Sequence, residues 1–306
     1  MSAPSVIHAR RPDRPVAGVL WMLATGLNFV AVTGIVRYLG TDLPAAQGAF
    51  IRFAFGLAFL APTLALTLRR GFAPGALRLF ALRGALHTLA VILWFFAMAR
   101  IPVAEVTAIG YLNPIVVTLG AALFLGEKLA LRRIMAIGVA IVGALVVLRP
   151  GLRTIEPGHW SQLAAALSFG LSYLIAKRLA DLAPAGAVVA MMALTVTIGL
   201  APFAYWVWVP VGLVQLGWLG LIAVFATAGH YCMARAFACA PMAVTQPVTF
   251  LQLIWATLLG ALVFGEAVDP MVILGGALII GAISYITWRE AQIKRRTTPA
   301  VPQTEI

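Results

Sequence analysis

Charge is the scarcest commodity in this sequence. Only 10% of its 306 residues are Asp, Glu, Lys or Arg, where a soluble domain carries about 25%. With mean hydropathy at +0.99, most of the chain cannot face water. Cysteine is nearly absent: Cys232 and Cys239 stand about two turns apart in one apolar segment, too far to bridge along a helix. No CxxC or other ligand spacing accompanies them, so neither a disulfide framework nor a metal centre is expected. No phosphate-binding Gly-Lys loop, HExxH or GxSxG motif occurs. The expectation is therefore a protein that is not an enzyme and needs no cofactor. All four aspartates (Asp13, Asp42, Asp181 and Asp269) fall outside the apolar stretches or at their edges. Glu105 is the one carboxylate placed plausibly inside one.

What is present is hydrophobic length. About 20 apolar residues cross a bilayer as a helix, and ten stretches approach or exceed that: 16–36, 45–68, 77–99, 103–125, 134–148, 160–176, 185–208, 213–238, 243–264 and 271–288. Proline, glycine and charge separate them. The net charge of +12 would suggest nucleic acid in a soluble protein. Here the cations sit at the ends of apolar segments, as membrane insertion dictates, so a lipid bilayer rather than nucleic acid is the expected partner. With the N-terminus inside, the inner loops and tails carry Arg10, Arg11, Arg14, Arg69, Arg70, Arg78, Lys128, Arg132, Arg133, Lys177, Arg178, Arg289, Lys294, Arg295 and Arg296. The outer loops carry only Arg37, Arg100, Arg149 and Arg153. Both termini are expected in the cytoplasm.

The chain is also a duplication. Residues 97–127 align without a gap on 236–266, with 12 of 31 positions identical. Pro102 meets Pro241, Thr118 meets Thr257, and Gly126-Glu127 meets Gly265-Glu266. Upstream, Asn28 and Arg37 correspond to Ser168 and Lys177. A five-helix unit is odd, so the second copy enters the membrane from the opposite side, giving an inverted repeat. The expected fold class is an all-α membrane protein with ten transmembrane helices. They form two inverted-topology five-helix repeats around a central cavity. The expected boundaries are a cytoplasmic tail over 1–15, a first repeat over 16–148, a periplasmic linker over 149–159, a second repeat over 160–288 and a cytoplasmic tail over 289–306. The short glycine-spaced faces at Gly138, Gly143, Gly276 and Gly281 predict close packing of the fifth and tenth helices.

Ten helices in two inverted halves, each fourth helix ending in LFLGE or LVFGE, resemble the EamA-type drug/metabolite transporter superfamily. The resemblance covers residues 16–288 and extends to bacterial amino acid and aromatic amino acid exporters. It implies a cavity lined by the first, third, fourth, sixth, eighth and ninth helices, with the fifth and tenth peripheral. It also implies a secondary transporter of the inner membrane that exports small metabolites, amino acids first, by alternating access. A carrier of drugs, nucleosides, sugars or cofactors, or a channel, is the alternative. The oligomeric state is open between monomer and homodimer. One departure stands out: Asn113-Pro114 of the first copy is Gln252-Leu253 in the second.

Polar groups inside hydrocarbon are costly and usually face an interior path. They supply the candidate substrate contacts: His87, Trp94, Tyr111, His230, Gln246, Thr249, Asn28, Ser168 and Tyr173. Pro114, with Asn113 and Gln252, is the candidate helix break and gate, since proline frees the carbonyl four residues earlier. Glu105, His87 and His230 are the candidates for proton coupling. Glu127 and Glu266, closing the two repeat motifs, are read as structural. Arg83 is balanced between a cationic wall and snorkelling to the interface, and Arg52 is expected to pair with a carbonyl or carboxylate.

Overall fold

In a computed structural model the chain is helical throughout, with no β-strand among the described residues, which are 14–125, 131–152, 154–180, 182–239, 245 and 248–297. Twelve helices occur among them: α1 (Pro15–Leu39), α2 (Ala45–Phe59), α3 (Ala61–Arg70), α4 (Ala76–Met98), α5 (Val103–Gly110), α6 (Asn113–Leu125), α7 (Leu131–Leu148), α8 (Pro157–Ala180), α9 (Ala185–Trp206), α10 (Leu213–Cys239), α11 (Leu251–Phe264) and α12 (Pro270–Thr297). In lipid every backbone group must be satisfied within the segment, which selects helices for such apolar sequence. Prolines at 44, 102 and 184 stand immediately before α2, α5 and α9, where a missing N–H costs nothing.

Twelve pieces replace the ten expected stretches, because two of them are broken. The second bends by 69° between α2 and α3. There Pro62 lies in the first turn of α3 and cannot donate into the turn before it. The fourth breaks at Tyr111 and Leu112, between α5 and α6, just ahead of Pro114. By length and composition four helices can cross a membrane, or five with the bent pair taken as one.

The pairings obey an exchange rule. α1 packs along α10, and α8 along α4. α4 also meets α9, and α10 meets α2. α6 lies on α8, and α11 on α1. α2 faces α9, and α7 faces α12. Swap α1 with α8, α2 with α9, α4 with α10, α6 with α11 and α7 with α12, and this set of pairings maps onto itself.

Small residues set the closest approaches. A Cβ on Gly143 of α7 would sit 2.7 Å from the carbonyl oxygen of Gly275, and one on Gly275 of α12 would sit 2.5 Å from that of Gly143. The predicted close packing of α7 and α12 is present, but through Gly143 and Gly275. Gly138 and Gly281 face open space, and Gly276 packs on Leu253 instead. α4 and α9 interlock in the same manner, Gly84 against Thr195 and Gly199 against Thr88.

The described carboxylates with placed side chains gather at one end of the bundle, the acidic end. Every described carboxylate with a placed side chain (Asp42, Glu105, Glu156, Glu266 and Asp269) lies in loops or helix ends there. Glu266 ties this end together. Gly265, at φ +64, reverses the chain after α11, and the Glu266 amide donates to the Gly260 carbonyl at 2.9 Å. The carboxylate then folds back over Gly260, where a Cβ would leave only 2.5 Å to its Oε2. Oε2 accepts the Val103 N–H at the start of α5, 2.9 Å, and Oε1 faces Arg37 of α1, 2.9 Å. Arg37 also donates to the Met98 carbonyl at the end of α4, 3.3 Å. Arg149 and Asp269 pair between α7 and α12. The fully buried Gln47 of α2 donates to and accepts from the Val209 backbone, 2.8 and 2.9 Å.

Candidate functional site

Halfway along α4, aromatic rings from two other helices converge on His87. Its imidazole is 6% exposed, about 16 Å from the start of a helix rising 1.5 Å per residue. Phe53 of α2 approaches it at 6.2 Å, and Phe169 and Tyr173 of α8 at 5.0 and 6.4 Å, all edge-to-face. Phe169 and Tyr173, four residues apart and so on one helix face, stack on each other at 6.0 Å with 13° between planes. A His87 ring nitrogen and the Ser172 hydroxyl are 3.1 Å apart, which orients the imidazole. Tyr173, the outermost ring of the cluster, keeps 42% of its surface free of protein contact.

Cations surround this cluster. Arg52 of α2 lies over the Phe53 ring, 4.1 Å from its centroid. Arg83, one turn before His87, is 7% exposed; it donates to the Val188 carbonyl at 3.1 Å and approaches the Met192 sulfur at 3.2 Å. Its Nε has no hydrogen-bond partner. Two expectations change here. Arg83 does not snorkel, because its guanidinium is held by α9 backbone inside the bundle. Arg52 has no carbonyl or carboxylate partner among the described residues, because every placed carboxylate is at the acidic end. An unpaired cation at this depth costs about 3 kcal/mol on insertion scales, and such a cost points to use.

The other sequence candidates divide. His230 of α10 stands edge-on to Phe29 of α1 at 5.2 Å. Asn28 is beside it on α1, its Cβ 3.3 Å from the position a Gly229 Cβ would take, but its amide donates to the Ala24 carbonyl of its own helix at 2.8 Å. Ser168 is buried on α8. Trp94 packs with the apolar cluster nearer the acidic end, against Phe95.

Tyr111 and Thr249 come together away from His87. The Tyr111 hydroxyl donates to the Thr249 carbonyl at 3.3 Å, and the ring meets Phe250 edge-on at 5.4 Å. The break between α5 and α6 is thereby tied to the chain leading into α11. Asn113 heads α6 with Oδ1 buried and without a partner. Pro114 follows it, and Gln252 is half-buried in the first turn of α11. Gln246 and Glu127 lie outside the described residues.

Glu105 is 4% exposed and 2.6 Å from Nε2 of His159, also 4% exposed. The Glu156 N–H donates to His159 Nδ1 at 3.0 Å, so Nδ1 carries no proton and Nε2 donates to the carboxylate. Sequence reasoning passed over His159, which stood in the expected linker, and Phe53, Phe169 and Ser172, which read as ordinary core. Two i, i+4 pairs on α8, Ser168/Ser172 and Phe169/Tyr173, were the available signal.

A bundle of apolar helices long enough to cross a membrane, with a buried polar and aromatic centre, has the architecture of a membrane protein. The chain belongs to the EamA-like transporter family, which matches it twice, over residues 16–149 and 157–288. It is 32% identical to a riboflavin transporter of Rhizobium johnstonii, over 94% of this chain and 96% of that one. It is 24% identical to an S-adenosylmethionine uptake transporter of Rickettsia bellii, over 89% and 94%. It is 26% identical to the pseudopaline exporter CntI of Pseudomonas aeruginosa, over 87% and 94%. A solved crystal structure shares the fold at TM-score 0.57 and 18% identity, covering 92% of this chain and 97% of the other.

Proposed function

We propose that this chain is an inner-membrane secondary carrier for a planar heteroaromatic metabolite, with a flavin as the first ring to test. The observation that carries the reading is the ring cluster of Phe53, His87, Phe169 and Tyr173 at mid-depth, with Tyr173 its outermost ring. Stacked and edge-on rings offer a flat solute contact that an aliphatic one cannot use. The riboflavin name of a 32% identical relative agrees with it. The amino-acid substrates implied by the family resemblance fit this site through their aromatic members, so tryptophan is the comparison solute.

The twelve pieces act as ten spans, with α2–α3 and α5–α6 each forming one. The two repeats run over 16–148 and 160–288, the acidic end faces the periplasm, and both termini are cytoplasmic. The exchange of pairings between halves supports this arrangement. Substrate is reached alternately from each side, around His87 and the rings packed on it. Direction follows the gradient, since relatives carry both uptake and exporter names. Transport is facilitative: Glu105 is engaged with His159, and no described carboxylate lies near His87 or His230. The test is counterflow into proteoliposomes preloaded with unlabelled solute. Labelled riboflavin should overshoot transiently and saturably. Overshoot with tryptophan and none with riboflavin would overturn the flavin-type reading.

A further inference from the structure

The ring cluster accounts for only half of the site. Arg52 and Arg83 flank it from opposite directions. Each lies seven residues inside its helix, roughly 10 Å from the acidic end and from the opposite end respectively. Neither has a carboxylate partner among the described residues, whose five placed carboxylates all lie at the acidic end. Three of those are already engaged, Glu105 with His159, Glu266 with Arg37 and Asp269 with Arg149. Arg83 is the more telling of the two. It is more than nine-tenths buried, one amino group is spent on the Val188 carbonyl and the other on a thioether, and Nε is left with nothing. Arg52 makes only a cation–π contact with Phe53. Two guanidinium groups around one ring cluster, with no balancing carboxylate among the described residues, make a site suited to an anion.

We infer that the transported solute is an aromatic anion, whose ring enters the Phe53–His87–Phe169–Tyr173 cluster and whose negative charge is balanced by the guanidinium groups of Arg52 and Arg83 on either side of it. Guanidinium groups present paired N–H donors that match carboxylate and phosphate oxygens, and an anion brought between them supplies the charge the helices lack. The same field repels cations, so a sulfonium-bearing solute is disfavoured despite the S-adenosylmethionine name of some relatives. The inference rests on the ring reading above and adds the charge.

The test uses pairs that set an anion against a neutral solute with the same ring system: flavin mononucleotide against riboflavin, and the near-isosteric indole-3-acetate against indole-3-acetamide. Each is titrated calorimetrically into the purified, detergent-solubilised protein. The anion of a pair should bind at least tenfold tighter than its neutral partner. In R52Q, whose parent side chain holds no hydrogen bond among the described residues, and in R83K, which keeps a charge but not the fork, that ratio should fall towards one. A melting curve for each variant confirms folding. Equal affinities within both pairs overturn the anion inference and leave the ring reading standing. If the flavins fail to bind while indole-3-acetate outdoes its amide, the flavin assignment falls and the anion inference holds. No binding by any of the four overturns both. A preference that persists in both arginine variants overturns the assignment of the balancing charge to these residues.

Discussion

Replacing Glu266 by Gln should loosen the acidic end of the bundle. The carboxylate is 10% exposed and its Arg37 partner 21%, so the pair is partly shielded but not sealed. Its Oε2 also accepts the Val103 N–H at the first turn of α5, where a helix N-terminus favours negative charge. Gln keeps one oxygen for that amide but turns an NH2 group towards, or removes the charge from, the guanidinium. Hydrogen bonds to charged groups contribute about 1.5–3 kcal/mol, and the partial exposure argues for the lower part of that range. About 2 kcal/mol corresponds to a roughly 30-fold shift between a state with this end tied and one with it open. Spin labels at Thr41 and Val268, both in loops at this end, would report it by pulsed dipolar spectroscopy once Cys232 and Cys239 are replaced by Ala. Wild type should show one short distance, and E266Q a mixture with a longer one. An unchanged distance distribution together with unchanged melting would refute the role given to this contact.

Four further outcomes follow from the packing. H159A removes a partner from the buried Glu105 carboxylate and should cost about 3 kcal/mol, read as a lower melting temperature in detergent; H159Q should lose less. G143A forces a methyl against the Gly275 carbonyl and Ile279 and should destabilise by about 1–3 kcal/mol. G138A, facing open space, should melt no lower than wild type, since Ala favours helix by up to about 1 kcal/mol. Y111F loses the bond to the Thr249 carbonyl and should cost about 1 kcal/mol; a change beyond about 3 kcal/mol would mean that this hydroxyl does more than tie the helix break.

The sequence revealed the helical character and the duplication because both are written in composition and register: an apolar helix needs no partner to declare itself, and Pro102, Thr118 and Gly126-Glu127 recur at fixed offset. Pro114 announced the break between α5 and α6. The bend at Pro62 was equally visible but lay inside an apolar stretch long enough to span, so length overrode it. The contacts that close the acidic end were not legible. Arg37 counted only as a loop charge and Glu266 only as the end of a motif, and their meeting depends on the turn at Gly265. His159 was hidden because an expected linker turned out to be the first turn of α8. Phe169 was missed since a phenylalanine in an apolar helix has the same sequence appearance whether it packs core or borders a path. Arg52 was assigned a partner on general grounds, and only the placement of the carboxylates removed that option.

The most direct test of the central claim is a flavin fluorescence titration of the purified protein and of F169A. Stacking of a flavin against Phe169 and Tyr173 should quench its emission saturably in the wild type. In F169A, with a melting curve showing the fold intact, affinity should fall at least tenfold. Quenching of equal amplitude and midpoint in F169A would place the ring elsewhere and contradict the site described around His87.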